Sequence, residues 1–335
     1  MLKQAIITSV ILSLAIFFFM LYTSDKEDFL TETPRIISLW NVRSVDTVKF
    51  SRDLAREKMN DPEFDLAIQK QISDITSLGA SHVAIGTPYD SEFTPFLKRW
   101  VNEARRNNLK VWFRGNFSGW ENWFNYPDIS REQHKNLLVE FIKNNPDLFE
   151  DGDIFTSCPE CENGGPGDPR FNGDVAGHRK FLIEEYSLSK QAFKDIGKQV
   201  SSGYYSMNYD VANLVMDEDT TNKLGNLVVI DHYIKDAKKL AIDAKLIADK
   251  SKGEVVLGEF GAPIPDIHGT LNQEQQAAWI KDALSEVKNI NEVVGVNYWT
   301  NVGGSTGLWN TDGSEREIVN TIRKFYQETK LVSPR

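Results

Sequence analysis

Cysteine is nearly absent from this chain. Its 335 residues hold two, Cys158 and Cys161, and its five histidines, at positions 82, 134, 178, 232 and 268, fall at no metal-ligand spacing. A structural zinc site needs four such ligands. Thioredoxin-like chemistry needs its CxxC at the start of a helix, whereas GGPGDP follows here. Metal and thiol-redox functions are thereby disfavoured. Basic residues are also in deficit, 38 Lys and Arg against 48 Asp and Glu, for a net charge of −10. That balance argues against nucleic acid as a partner, since it calls for a basic patch. No GxGxxG follows the first apolar run, so a dinucleotide-binding open sheet is disfavoured too. Neither internal repeats nor low-complexity segments occur in the main body of the chain.

What is present begins with AIITSVILSLAIFFFMLY, residues 5 to 22, an uncharged run close to the roughly 20 residues that span a bilayer. Lys3 precedes it and Asp25, Glu27 and Asp28 follow, which predicts an N-in, C-out orientation. No small-x-small cleavage site ends it, so a retained anchor is favoured over a cleaved signal peptide. The expected organisation is an anchor or signal peptide over 1–24, a polar linker over 25–34, one catalytic domain over 35–328 and a tail over 329–335. Either form of the N-terminus places the domain outside the membrane, anchored to it or secreted.

From residue 35 onward, short apolar runs alternate with amphipathic stretches. RIISLWN (35–41), SHVAIGT (81–87), LKVWFRGN (109–116), GDIFTSC (152–158), KQVSSGYY (198–205), NLVVIDHY (226–233), GEVVLGEF (253–260) and EVVGVNYW (292–299) fit buried strands. Each is followed by a helical pattern. Such alternation predicts a parallel sheet covered by helices, and eight units predict a closed (β/α)₈ TIM barrel. Gly79 and Gly253 fall where a left-handed helix C-cap is expected.

Barrel chemistry is built at the C-terminal ends of the strands. By this reading those ends carry Trp40 and Asn41, Arg114 and Asn116, Glu160 and Glu162, Tyr204, Tyr205 and Asn208, His232 and Tyr233, Glu259, then Asn297, Tyr298 and Trp299. Aromatic faces and hydrogen-bonding groups around carboxylates suit a neutral, many-hydroxyl ligand. A carboxylate on strand four opposite one on strand seven also suits glycoside cleavage, in which one attacks and the other protonates the leaving oxygen.

This layout resembles the clan A retaining glycoside hydrolases, (β/α)₈ barrels with an acid/base Glu after strand four and a nucleophile Glu after strand seven. GEFG at 258–261 is similar to the clan's nucleophile region, and GLWNTDG at 307–313 to the stretch after its last strand. The resemblance implies that Glu259 is the nucleophile, Tyr233 its hydrogen-bond partner and Trp299 the floor of a sugar subsite. It implies a carbohydrate substrate, retaining cleavage of β-linked glycans, and no cofactor or metal. Trp40, Arg114, Asn116, Asn163, Asn208 and His232 complete the expected substrate-binding set. Two departures stand out. Pro159 occupies the position where the clan carries Asn before its acid, and Arg114 falls on strand three rather than strand two.

Glu160 fits the acid position better than Glu162, which lies two residues further on. Cys158 and Cys161 flank Glu160, either as a disulfide that stiffens the loop or as two free thiols. Trp120, Trp123, Phe124 and Tyr126 form either a satellite core or a stacking wall. The alternative to an enzyme is a barrel that binds carbohydrate, or serves as a cell-surface scaffold, without turnover. Sugar identity, linkage and endo or exo action depend on loops that the sequence leaves open.

Overall fold

In a computed structural model, residues 40–330 are described. The expected anchor over 1–24 and linker over 25–34 lie outside them, and no helix among the described residues is long and apolar enough to cross a membrane. Eight strands run in order along the chain: β1 (Val42–Val45), β2 (His82–Ile85), β3 (Lys110–Phe113), β4 (Ile154–Phe155), β5 (Ser206–Asn208), β6 (Leu227–Asp231), β7 (Glu254–Phe260) and β8 (Val293–Tyr298). Each is followed by a helix of the outer ring: α1 (Asp65–Ser77), α2 (Thr94–Arg106), α3 (Arg131–Asn144), α4 (Val175–Asp195), α5 (Glu218–Lys223), α6 (Ala237–Ser251), α7 (Gln273–Val287) and α8 (Ile318–Glu328).

All strand pairs are parallel. They form two hydrogen-bonded runs, β1-β8-β7-β6-β5 and β2-β3-β4. Two seams close these into a barrel. Thr47 N donates to Ala84 O at 3.0 Å beside an Asp46–Ala84 bridge, joining β1 to β2. Phe155 N donates to Ser201 O at 2.8 Å, joining β4 to the segment that leads into β5. The expected strand over 198–205 therefore contributes only this bridge, and the regular strand starts at Ser206.

Residues alternate between lumen and helix shell, as a strand's period of two requires. Val42, Ala84, Trp112, Ile154, Val229 and Val256 pack into an apolar plug in the lumen. Their neighbours Val83, Val111, Val228, Val255 and Leu257 face the helices instead. Further along the strands, the same lumen-facing alternation brings up Asp46, two steps beyond Val42, and Arg114 and Asp231, one step beyond Trp112 and Val229. The apolar plug thus carries a polar layer.

Two expectations are corrected. The first strand lies at Val42–Val45 and not over 35–41. Its polar positions, Arg43 and Ser44, weaken the apolar signal that drew attention to the preceding run. Trp40 and Asn41 consequently precede β1 and lie at the N-terminal end of the barrel, away from the substrate-binding face to which Trp40 was assigned. Trp40 is buried there, its backbone N–H donating to Thr329 O at 3.0 Å and its carbonyl accepting from Arg43. Gly79 does cap α1 with φ +83°, but after α6 the left-handed residue is Lys252 and not Gly253. Gly253 is needed for space, because a Cβ there would stand 2.5 Å from Thr221 Cγ2.

The approach to β4 is clamped by Asp153, fully buried, which accepts from Arg105 Nη1 at 2.9 Å, Val111 N at 3.0 Å and Glu150 N at 2.8 Å. Replacing Asp153 with Ala strands those donors, and the expected loss is about 3 kcal/mol in urea unfolding. A loss under about 1 kcal/mol would mean that the clamp is dispensable.

Candidate active site

At the C-terminal end of the strands, one guanidinium collects most of the charge. Arg114, immediately after β3, is buried and reaches Asp46 Oδ2 at 3.1 Å, Asp231 Oδ2 at 3.1 Å and Glu259 Oε1 at 3.0 Å. It also donates to the Gly258 carbonyl at 2.8 Å and Ser206 Oγ at 3.0 Å. Burial works against its charge, but the Asp231, Glu259 and Asp46 carboxylates outweigh that and raise it above the ordinary arginine value. The guanidinium is permanently cationic. Burial lifts Asp46 to about 6 against the pull of Arg114, with Glu259 adding to the rise.

Strict alternation along β7 would turn Glu259 away from the lumen, because Gly258 before it faces inward. Register shifts between Ile230 and Asp231, and between Leu257 and Phe260, break the alternation. Such irregularities re-aim side chains, and Glu259 points into the mouth. Tyr233 Oη donates to its Oε2 at 2.8 Å, so a hydroxyl donor and the Arg114 cation converge on one carboxylate. Trp299, half-buried after β8, meets Tyr233 edge-on at 6.0 Å, with Lys49 Nζ 5.3 Å from its ring centroid.

The loop after β4 presents Glu160 from a left-handed backbone conformation, φ 44° and ψ 49°. For a residue with a side chain this costs about 1–3 kcal/mol, and the surroundings must hold it. Glu160 N donates to Ser206 O at 2.8 Å and its carbonyl accepts from Asn163 N at 2.8 Å. Cys158 and Cys161 are joined in a disulfide across the turn. Beneath it lies Trp120, buried, stacked on Phe181 at 5.0 Å and donating to Cys161 O at 3.1 Å. Gly165, at φ +54°, lies so close to that indole that a Cβ would stand 2.4 Å from it.

Burial, together with the charges of Glu259 and Glu162, pushes the Glu160 carboxyl up to about 8, with Arg114 opposing. Asn163 donates to its Oε2 at 3.1 Å. Glu162 is more enclosed, 2% exposed, and its Oε1 accepts from Asn208 N at 2.7 Å and Asn208 Nδ2 at 3.0 Å. It therefore buttresses the loop against β5, while Glu160 stands half-buried at the mouth.

Several expected ligand contacts are internal supports. Asn116 is fully buried; its Oδ1 faces His134 Nε2 at 2.8 Å and its amide donates to Glu121, while His134 Nδ1 meets Glu185 at 2.9 Å. His232 pairs with Asp243 at 2.9 Å and stacks on Tyr209. Arg114 is likewise committed to protein groups. Trp123 stays partly open, under Arg52 at 4.8 Å. Asp46, Asp231, Ser206 and Glu121, which burial lifts to about 7, were not anticipated. The alternation Leu227, Val229, Asp231 inside NLVVIDHY was the signal that could have exposed Asp231.

No protein-family model matches the chain, and no curated protein matches it. Solved structures do. A GH5_18 protein from Streptomyces cattleya in complex with GlcNAc superposes with TM-score 0.65 at 14% identity, covering 89% of this chain and 82% of that one. A variant of a GH5_18 protein from Bifidobacterium longum subsp. longum, in complex with Manβ1-4GlcNAc, gives TM-score 0.63 at 13% identity over 87% and 78%. A GH5-4 broad specificity endoglucanase from Clostridium longisporum gives 0.56 at 15% identity over 78% and 86%. What is shared is the fold. In this barrel Glu160, in the loop after β4, and Glu259, on β7, stand around a common mouth, and the charge of Glu259 helps to raise the Glu160 carboxyl.

Gly258 has no room for a side chain, since a Cβ would stand 2.4 Å from Asp231 Oδ1 and 2.6 Å from Val229 Cγ1. Gly258→Ala is expected to cost about 1–3 kcal/mol, measurable as a lowered thermal midpoint. An unchanged midpoint would show that the lumen layer can relax.

Proposed function

We propose that the chain is a glycoside hydrolase that cleaves β-linked oligo- or polysaccharides with retention of configuration. The observation that carries this reading is the pair Glu160 and Glu259, two carboxyl groups at one barrel mouth in opposite environments. Glu160 is crowded by burial and negative charge and held protonated to about pH 8. Glu259 receives an arginine and a tyrosine hydroxyl. One is equipped to give a proton, the other to act as an anion.

In the first step, Glu259 attacks the anomeric carbon as Glu160 protonates the departing oxygen; the glycosidic bond breaks and a glycosyl ester forms. In the second, Glu160 removes a proton from water, which attacks the same carbon and frees Glu259. Glu162 is the weaker candidate for the acid, because Asn208 holds one oxygen and the protein covers the other. Tyr233 and Trp299 border the sugar position. Support for a carbohydrate ligand also comes from the sugars in the solved barrels of similar fold. The proposed setting is extracellular, with residues 1–24 holding the domain at a membrane or directing its export.

On aryl β-glycosides and β-linked oligosaccharides, Glu259→Gln is expected to lower kcat by about 10⁴-fold or more. An unchanged rate would remove Glu259 from the reaction and favour a barrel that binds without turnover.

The pH profile is the second check. Glu160 must be protonated to act as acid, so kcat/KM should fall as pH rises through about 8. With an activated aryl leaving group, Glu160→Ala should lose that alkaline limb, and added azide should restore turnover as a β-glycosyl azide. A limb that persists in Glu160→Ala and vanishes in Glu162→Ala would transfer the acid role to Glu162.

A further inference from the structure

A guanidinium has five N–H donors, and Arg114 distributes them unevenly. Nε has no partner. Nη1 serves Asp46 and the Gly258 carbonyl. Nη2 uses its two hydrogens on Ser206 Oγ at 3.0 Å and Asp231 Oδ2 at 3.1 Å, and also stands 3.0 Å from Glu259 Oε1 as an ion pair. A single guanidinium cannot neutralise three carboxylates in an enclosed lumen.

Asp231 is the most enclosed of those carboxylates. Its side chain is 0% exposed, against 3% for Asp46 and 17% for Glu259. Its Oδ1 has no hydrogen-bond partner among the described residues and lies over Gly258, the residue before Glu259. An anionic oxygen buried without a donor is costly, whereas a neutral carboxyl is far less so. Groups of the same sign face it as well: Glu160 and Glu162 from the loop after β4 and Glu259 from β7, with Arg114 of β3 as the opposing cation. Burial and these charges move it well above the ordinary aspartate range.

We infer that Asp231 is a positioning residue for Glu259 that acts as a neutral carboxylic acid, sharing Arg114 Nη2 with Glu259 and fixing where that carboxylate stands without competing for its charge. The catalytic half of this inference rests on Glu259 as the nucleophile. The charge state does not.

Asp231→Ala and Asp231→Asn separate the alternatives. Loss of the carboxyl in Asp231→Ala leaves Arg114 free to shift, and kcat should fall about tenfold to a hundredfold with KM within about twofold. Asp231→Asn, which keeps the shape of the neutral acid, should rescue most of that loss and leave the acid limb of kcat/KM in place. An ionised Asp231 predicts otherwise: Asp231→Asn would remove a negative charge beside Glu259 and move the acid limb down by about one pH unit. Wild-type kcat in Asp231→Ala would end the positioning role.

Melting gives a reading that needs no activity. At pH 7 the Asp231→Asn midpoint should stay within about 2 °C of wild type, and a fall of more than about 5 °C would mean that an ion pair with Arg114 had been broken. If the wild-type protein hydrolyses no glycoside, the proposed function fails, and the melting comparison still decides whether Asp231 is neutral.

Discussion

The polar layer of this barrel depends on one cation shared by more carboxyl groups than it can neutralise. Arg114 rises from β3 above the apolar plug and binds acids from β1, β6 and β7 at about the same distance. In water such pairs would be worth little, but in an enclosed lumen they are strong, and each unpaired charge is expensive. The strands are thus tied at the level where a substrate would meet them. Gly258 is part of the same constraint: its carbonyl accepts from Arg114, and its missing side chain makes room for Asp231. Glu259 inherits its orientation from this arrangement and from Tyr233.

The acid loop solves a different problem. Glu160 projects from a backbone conformation that few residues with side chains adopt, and the loop pays for it with the disulfide, the bond from Glu160 N to Ser206 O and the packing of Gly165 on Trp120. Glu162 and Asn208 add a buried tie to β5. Rigid support of this kind suits the proposed role of Glu160 as proton donor, since transfer needs hydrogen-bond geometry to a leaving oxygen. Of the asparagines beside the acid loop, Asn163 donates to Glu160 and Asn208 to Glu162.

Much of this was legible in the sequence for a plain reason. Strands buried on both faces read as apolar runs, and GEVVLGEF announced β7 with Glu259 at its end. β1 was misplaced because its lumen side carries Ser44 and then Asp46, so the apolar run before it gave the stronger signal and drew Trp40 to the wrong end of the barrel. Asp231 was passed over between an apolar strand and the more conspicuous His232 and Tyr233, although its period-two spacing from Val229 marked it as inward. Asn116 was taken for a ligand contact because a strand-end amide looks the same in sequence whether it faces a cleft or a buried histidine. The Cys158 to Cys161 bond was left open, since spacing alone does not set redox state, and the left-handed turn at Glu160 has no sequence signal.

The central claim is that Glu259 becomes covalently glycosylated during turnover. Its most direct test is to incubate the protein with activated 2-deoxy-2-fluoro-β-glycosides, which slow release of the intermediate, and to map the adduct by peptide mass spectrometry. The account predicts one added sugar, on Glu259 in the segment GEFGAP, released when an acceptor sugar is supplied. A glycoside that is hydrolysed without an adduct and with inversion, or an adduct on any other residue, would contradict it.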